Sequence, residues 1–492
     1  MRGRDHVSGA RPDVPYPYAY ERTATAAEIT KRWGHLEPGA GAPHDAVVRV
    51  AGRLKTVRAH GGIAFADLAD ASGGIQLFAQ KSILGADGLQ HFSRLGVGDI
   101  VGAEGGVMRT RRGELSVVVT SITLLAPCLR PMPEKWHGLS DVEARYRARH
   151  LDLLFNERSL QLVAARAAAN KAIRGFMEQR GFLEVETPLL HPIAGGAVAR
   201  PFATHHNALG VDLYLRIAPE LYLKRLLIGG MERVYELNRS FRNEGVSTRH
   251  NPEFTMLEGY EAYVDYEHTM SLVESLVLTI AGAVAGAAGA DGVAGKLSPP
   301  FRRVSMFDAI EEATGVDFAR LWEARDWAGL RRAAGGLGAG AEEERRPGAV
   351  VAELYETHVE KSLAEPTFVA GFPVEVSPLA KDHRTIEGFT EHADLVIGGV
   401  EVAPIYSELN DPDEQRRRFR MQAADRAAGN KEAALPDEDF LEALAYGMPP
   451  AGGFGLGIDR LLMLLTGAPS IREVILWPAM RPQDYPPSSS SP

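Results

Sequence analysis

Between residues 46 and 126 the chain alternates apolar and polar positions in five short runs: VVRVAGRL, GIAFADLAD, GIQLFAQ, DIVGAEGGVMRT and ELSVVVTSITLLA. Gly-rich turns separate them. Alternation with period two marks strands with one buried face. Five such strands in succession predict a small β-barrel. Ahead of them, TAAE at residues 25–28 reads as a helix start, with Thr25 as cap and Glu28 three residues on. After the barrel the period changes. Residues 156–180 carry apolar positions at helical spacing, and GFLEVETPLL follows as a strand. Residues 233–260, RVYELNRSFRNEGVSTRHNPEFTMLEGY, give two strand-like runs joined by a polar turn and a basic tip. Residues 391–412, EHADLVIGGVEVAPIYSELNDP, give an apolar strand, a glycine pair and a second strand. Residues 449–467, PPAGGFGLGIDRLLMLLTG, give a Gly-rich strand feeding an apolar helix.

The most apolar run, residues 275–290, is too short and too rich in Ala and Gly for a membrane span, so it is expected to be a core helix. Residues 280–350 carry no motif and predict a small inserted helical region. At 492 residues, 45% hydrophobic and 24% charged, the chain suits two or three globular domains. The expected division is an N-terminal extension over 1–45, the barrel over 46–126, a Pro-punctuated linker over 127–140, a second domain over 141–482 and a disordered tail over 483–492. Net charge of −10 argues against a bulk nucleic-acid coat but leaves room for a local basic face. Cys128 stands alone, so neither an intrachain disulfide nor a thiolate zinc site can form, which fits the cytoplasm. The first twenty residues hold no apolar segment of a signal peptide, and no membrane association is expected.

The loop of residues 242–250 carries the chemistry. Arg, Glu, Arg and His between two strands suit a polyphosphate nucleotide, because Arg242 offers a planar fork to phosphate oxygens. Glu244 could hold a ribose hydroxyl or an adenine amine, and Phe254 could stack on a base. Asp394 and Glu401, spaced seven apart, are hard carboxylates that suit Mg²⁺ bridging phosphates.

FRNE, then RHNPEFT, then LE at these offsets resembles motif 2 of the class II aminoacyl-tRNA synthetases, and within them the bacterial lysyl branch. GFLEVETPLL resembles motif 1, and GLGIDR before an apolar helix resembles motif 3. The resemblance covers residues 16–482 and includes LRIAPELYLKRL. It implies an α+β protein: an N-terminal OB-fold barrel that reads the anticodon, then a catalytic domain with an antiparallel sheet flanked by helices. It implies that ATP and L-lysine give lysyl-adenylate, that the lysyl group passes to tRNA(Lys), and that the enzyme is a homodimer with motif 1 at the interface.

Carried over by position, Arg242 would bind the amino-acid carboxylate and the α-phosphate. Glu244, His250 and Phe254 would hold ATP, with Arg460 closing the other side. Gly196, Glu220 and Glu258 would receive the α-amino group of lysine. Tyr260 and Glu408 would meet its ε-ammonium. In the barrel, Phe65 would stack on an anticodon base, Gln76 and Glu114 would read base edges, and Arg58 would stack or pair with phosphate.

Three departures from the family pattern stand out. Where the family usually reads EIGN, residues 401–404 read EVAP, so Pro404 replaces an asparagine that helps hold the substrate carboxylate. A hydrogen bond to a charged group is worth roughly 1.5–3 kcal/mol, so weaker lysine binding is expected. Asp394 stands where glutamate is usual, one methylene shorter. The family's basic N-terminal helix is expected to be missing or very short. Pro404 keeps open an alternative, a diverged paralogue that activates another amino acid or uses a non-tRNA acceptor. Intact Arg242, Glu244 and Arg460 argue against a third reading, a non-catalytic tRNA-binding module.

Overall fold

A computed structural model describes residues 16–132, 141–193, 195–196, 199–288, 292–339, 346–427 and 436–483. Most of the expected linker and tail lie outside these residues. The chain divides into two compact units, Met1–Gly138 and Leu139–Pro492.

In the first unit, β1 (Val47–His60), β2 (Ile63–Asp70), β3 (Gly73–Gln80), β4 (Ile100–Arg109) and β5 (Leu115–Ala126) close into a barrel in the order β1-β2-β3-β5-β4. These are the five expected runs. Ala64, Ala66 and Leu68 of β2 and Ile75, Leu77 and Ala79 of β3 point inward, and their odd and even neighbours point out. The helix Ala26–Trp33 starts at the expected cap. Thr25 Oγ1 accepts from the Glu28 amide, and the Glu28 carboxylate accepts from the Thr25 amide. Ile29 and Trp33 on this helix pack into the barrel core, as does Phe92 on a second helix, Lys81–Ser93.

The second unit is built on an eight-stranded sheet. Its strands are β6 (Leu183–Glu184), β10 (Arg233–Phe241), β11 (Glu253–Ala262), β12 (Arg302–Ser305), β13 (Thr367–Pro373), β14 (Phe389–Ile397), β15 (Val400–Ser407) and β16 (Ala451–Gly457). Their order is β12-β13-β14-β15-β16-β11-β10-β6, antiparallel except at the two outermost pairs. A separate three-stranded sheet holds β7 (Leu190–His191), β8 (Ala203–His206) and β9 (Val211–Leu215).

Period two divides the large sheet into a core face and an open face. Leu257 on β11, Ala403 and Ile405 on β15, and Phe454 and Leu456 on β16 turn toward three helices, Glu157–Gln179, Tyr266–Ala288 and Ile458–Thr466. Each of the Leu, Ile and Phe side chains, fully buried, contributes about 1.5–3 kcal/mol. Tyr266–Ala288 is long and apolar enough to cross a membrane by length and composition. However, its Met270, Val273, Leu276, Val277, Ile280 and Val284 are in the core. This is the core helix expected at residues 275–290, begun earlier in the chain.

The opposite face carries Phe254, Met256, Glu258 and Tyr260 on β11, Pro404 and Tyr406 on β15, and Gly453, Gly455 and Gly457 on β16. The register places Met256 beside Gly457, Glu258 beside Gly455 and Tyr260 beside Gly453. The glycines form a floor without side chains between two walls. The expected helical insertion is present, among the described residues, as four short helices between Met306 and Leu354, which pack with Val369 and Phe372 of β13 and Phe389 and Val396 of β14 in a second core.

Candidate active site

Along the open face runs a cleft of about 810 Å³, open to solvent. Arg242, Glu244, His250, Phe254, Glu401 and Arg460 line it, together with Met256 and Pro404. All five residues expected to hold a nucleotide are therefore brought together, although they come from sequence positions over two hundred apart. The hairpin of β10 and β11 supplies Arg242 and Phe254, and the guanidinium lies 5.2 Å from the centre of the Phe254 ring. Arg242 Nε is buried and has no hydrogen-bond partner among the described residues. A buried unsatisfied donor on a cation is costly unless an anion completes it.

Arg460, at the start of the helix Ile458–Thr466, donates to the Glu401 carbonyl at 3.0 Å and to His250 Nε2 at 3.1 Å. Arginine has no acceptor, so His250 Nε2 must accept, and the tautomer that follows carries its proton on Nδ1, facing Ser247 Oγ at 2.9 Å. Burial, then the nearby Arg460 charge, holds the His250 pKa below the ordinary value. Asp459 fixes this corner. Its carboxylate accepts from the Thr255 amide at 2.8 Å and pairs with Arg166 of the helix Glu157–Gln179.

Deeper along β11 lies a buried acidic pocket. Glu258, Tyr260 and Glu408 are nearly inaccessible, and Glu220 opens the helix Glu220–Ile228 beside them. Gly196 lies against Ala218 and Glu220. Burial, reinforced by Glu220, pushes the Glu258 carboxyl up to about 8. Tyr260 Oη donates to Glu258 Oε2 at 3.3 Å. Gly453 is required here by close approach: a Cβ would collide with Glu408 Oε1 and lie 2.6 Å from the Tyr260 ring. Arg242 stands where cleft and pocket meet, since its charge acts on Glu401 and on Glu258.

The pocket differs from expectation in one respect. Glu408 is already engaged: Lys224 Nζ lies 2.5 Å from Glu408 Oε2 and 2.7 Å from Glu220 Oε1. Sequence reading passed over Lys224. Its only local signal was a Glu–Lys pair at i,i+4, and nothing in the sequence reveals that its ammonium is wholly buried.

The metal pair is less simple than its spacing suggests. Glu401 lines the cleft, but among the described residues Asp394 is not part of that lining. Asp394 accepts from His392 Nε2 at 2.9 Å, and His392 Nδ1 lies 2.7 Å from Ser377 Oγ. Among the described residues no three His, Cys, Asp or Glu side chains gather to hold a metal. The two carboxylates do act on each other: burial first, then Asp394, raises the Glu401 pKa. A cation would relieve that repulsion, so the pair fits Mg²⁺ if phosphate and water oxygens complete the shell.

On the barrel, Arg58, Phe65 and Gln76 share the outer face. Arg58 pairs with Phe65 across β1 and β2, and Phe65 with Phe78 across β2 and β3. The two rings stack with centroids 4.7 Å apart and planes 9° from parallel. Arg58 bonds to Asp67 at 3.3 Å. Ser116 Oγ donates to Gln76 Oε1 at 2.9 Å, which leaves the amide nitrogen for a ligand. Glu114 closes the turn between β4 and β5 and is exposed. Phe78 and Asp67 were missed by sequence reading, although alternation places both outward beside chosen residues.

Residues 141–481 match the family described as tRNA synthetases class II (D, K and N), and residues 48–125 match the OB-fold nucleic acid binding domain. The chain belongs to the class II tRNA synthetases. This synthetase is 52% identical to a lysine–tRNA ligase of Moorella thermoacetica over 472 residues, covering 96% of the chain and 94% of that relative. It is 51% identical to one of Carboxydothermus hydrogenoformans, covering 96% and 95%. With one of Bacillus subtilis it shares 48%, covering 95% and 93%. The α+β architecture of barrel and antiparallel-rich sheet is the one the resemblance implied.

Proposed function

We propose that this synthetase is a lysine–tRNA ligase, which activates L-lysine with ATP and transfers it to tRNA(Lys). The observation that carries the reading is the junction at Arg242, between the cleft lined by Glu244, His250, Phe254 and Arg460 and a pocket walled by Glu220, Glu258 and Glu408. Three carboxylates suit a substrate with two ammonium groups, and a buried carboxylate strongly rejects an uncharged isostere. An aspartyl substrate would be repelled.

In the first step a lysine carboxylate oxygen attacks the α-phosphorus of ATP. The new O–P bond gives lysyl-adenylate, and the bond to the β-phosphate breaks to release pyrophosphate. Arg242 orients both reactants and stabilises charge on the five-coordinate phosphorus, a positioning and electrostatic role. Phe254 stacks on adenine, while His250 and Arg460 hold the phosphates and Glu244 a nucleoside polar group. Mg²⁺, held by Glu401 with Asp394 behind it, would neutralise phosphate charge. In the second step a tRNA hydroxyl attacks the carbonyl and AMP leaves. Arg58, Phe65, Gln76 and Glu114 bind the anticodon.

The protein works as a homodimer in the cytoplasm in this reading. Leu183, Leu189 and Leu190 of motif 1 are exposed in the single chain, and such a cluster supports burial against a second copy. Pro404, on the cleft wall, favours the paralogue as a second reading. Charging of unfractionated tRNA with single labelled amino acids separates them. The proposal expects lysine on a tRNA with a lysine anticodon; another amino acid, or no charged tRNA, rejects it.

A further inference from the structure

We propose that Lys224 is a positioning residue for amino-acid recognition: its ammonium ties down one oxygen of Glu220 and one of Glu408, so that their other oxygens face the two ammonium groups of the substrate. The inference rests on the lysine reading of the pocket.

Lys224 has no solvent exposure at its side chain. An ammonium has three donors: Lys224 hydrogen-bonds to Glu220 Oε1 at 2.7 Å and to the Leu379 carbonyl at 3.3 Å, and lies in ion-pair contact with Glu408 Oε2 at 2.5 Å. The cation is thus fully committed and cannot be a free general base. Neither Glu408 oxygen has a hydrogen-bond partner among the described residues. Oε2 lies against the Lys224 ammonium, while Oε1 lies over the space left by Gly453. It is the oxygen left for a ligand cation.

Charge counting points the same way. Around the pocket stand Glu220 and Lys224 on one helix, Glu258 and Tyr260 on β11, Tyr406 on β15 and Glu408 just after it. Burial keeps both tyrosines protonated, with pKa values well above the ordinary one. Arg216 pairs with Glu236 at 2.7 Å and adds no net charge. Once Glu258 gives up its proton on substrate binding, three carboxylates against Lys224 leave two negative charges, which matches the two ammonium groups of lysine. The substrate carboxylate goes to Arg242. Glu258 already binds a proton near pH 7, and without Lys224 the Glu408 carboxyl would bind one as well. Burial already pushes Glu408 up, and Lys224 is the charge opposing that rise.

The test is lysine-dependent ATP–pyrophosphate exchange by the full-length protein, for wild type, Lys224→Met and Lys224→Gln, between pH 6.5 and 9. Values are read as ratios to wild type at each pH, which cancels titration of free lysine. At pH 7 the expected KM for lysine rises at least tenfold in both variants, while the KM for ATP stays within twofold. The lysine defect should shrink toward pH 9, as Glu408 loses the proton it gained. A lysine KM within twofold of wild type overturns the proposal. So does a defect of equal size at every pH, which would mark lost packing. Should neither variant fold, calorimetry on wild type in buffers of different ionisation enthalpy decides. On this inference Lys224 keeps Glu408 ionised in the free enzyme, so lysine binding at pH 7 releases about one proton or fewer, from Glu258. Release of about two overturns the inference. Wild type that does not exchange with lysine overturns the pocket reading as well; lysine-active wild type with unaltered variants overturns this inference alone.

Discussion

Replacing Gly453 by alanine tests the pocket with one methyl group. Gly453 has ordinary backbone angles, so alanine meets no conformational barrier there. The obstacle is space. The new Cβ would collide with Glu408 Oε1 and lie 2.6 and 2.7 Å from two Tyr260 ring carbons. Neither neighbour can yield easily, because Glu408 is held by Lys224 and Tyr260 is wedged in a buried cluster. Forcing a methyl into such a site costs about 1–3 kcal/mol. If that cost falls on lysine binding, the KM for lysine rises about 5- to 150-fold, since about 1.4 kcal/mol is tenfold. Gly455→Ala is the control. Its Cβ would meet the end of the flexible Met256 side chain at 2.8 Å, with Glu258 and Pro404 no nearer than 3.8 Å. A flexible thioether moves aside, so the lysine KM should change less than threefold. The assay is pyrophosphate exchange with lysine and ATP varied separately, beside a thermal melt. A Gly453→Ala protein with unchanged lysine KM and unchanged melting temperature would show that Glu408 does not lie over this glycine.

Further expectations concern the cleft and the barrel. Arg242→Ala should abolish adenylate formation, and exchange within a few-fold of wild type would reject its assignment. Phe65→Ala should lower tRNA kcat/KM roughly ten- to a hundredfold, from about 1–3 kcal/mol of stacking per base, with exchange unchanged; a parallel loss in both would make Phe65 a barrel support. Pro404→Asn should lower the lysine KM by up to about tenfold, for a hydrogen bond near 1.4 kcal/mol. Pro404 stands one residue before β15 gains β16 as its second neighbour, so the change restores a backbone donor at a strand edge. An unchanged or raised KM would show that the missing amide does not limit lysine binding. His250 has a lowered pKa, so the KM for ATP should be flat near pH 7, and any change tied to its protonation should set in only well below about pH 6.5, the ordinary histidine value. A rise that tracks an ordinary histidine would contradict the Arg460 contact.

Local rules made much of this fold legible. The Thr25 and Glu28 caps, the five barrel strands and the hairpin of β10 and β11 follow from spacing within a few residues. The glycine pair at 398 and 399 has φ of 59° and 69°, as a two-residue hairpin turn requires. What escaped was set by contacts distant in sequence. Asp459 and Arg166 meet only when two helices pack on one sheet face. Lys224 is ordinary in a helix until the strand leading to Glu408 covers it. The helix Lys81–Ser93 was hidden by Gly85, which breaks its periodicity at φ 75°. Asp394 was read as a carboxylate in an apolar hairpin, but its bond to His392, which takes up one oxygen, was not. Substrate choice was less legible than reaction type, because it depends on which charges end up buried together.

In the proposed reading the buried carboxylates of Glu258 and Glu408, half-buried Glu220 and Lys224 select lysine. Amino-acid-dependent ATP–pyrophosphate exchange by the wild-type protein measures this most directly, across lysine, ornithine, arginine, norleucine, aspartate and asparagine. Lysine should exceed every other amino acid in kcat/KM, with norleucine, which lacks only the ε-ammonium, lower by at least a hundredfold. Another amino acid activated better than lysine, or norleucine activated equally well, would contradict the account.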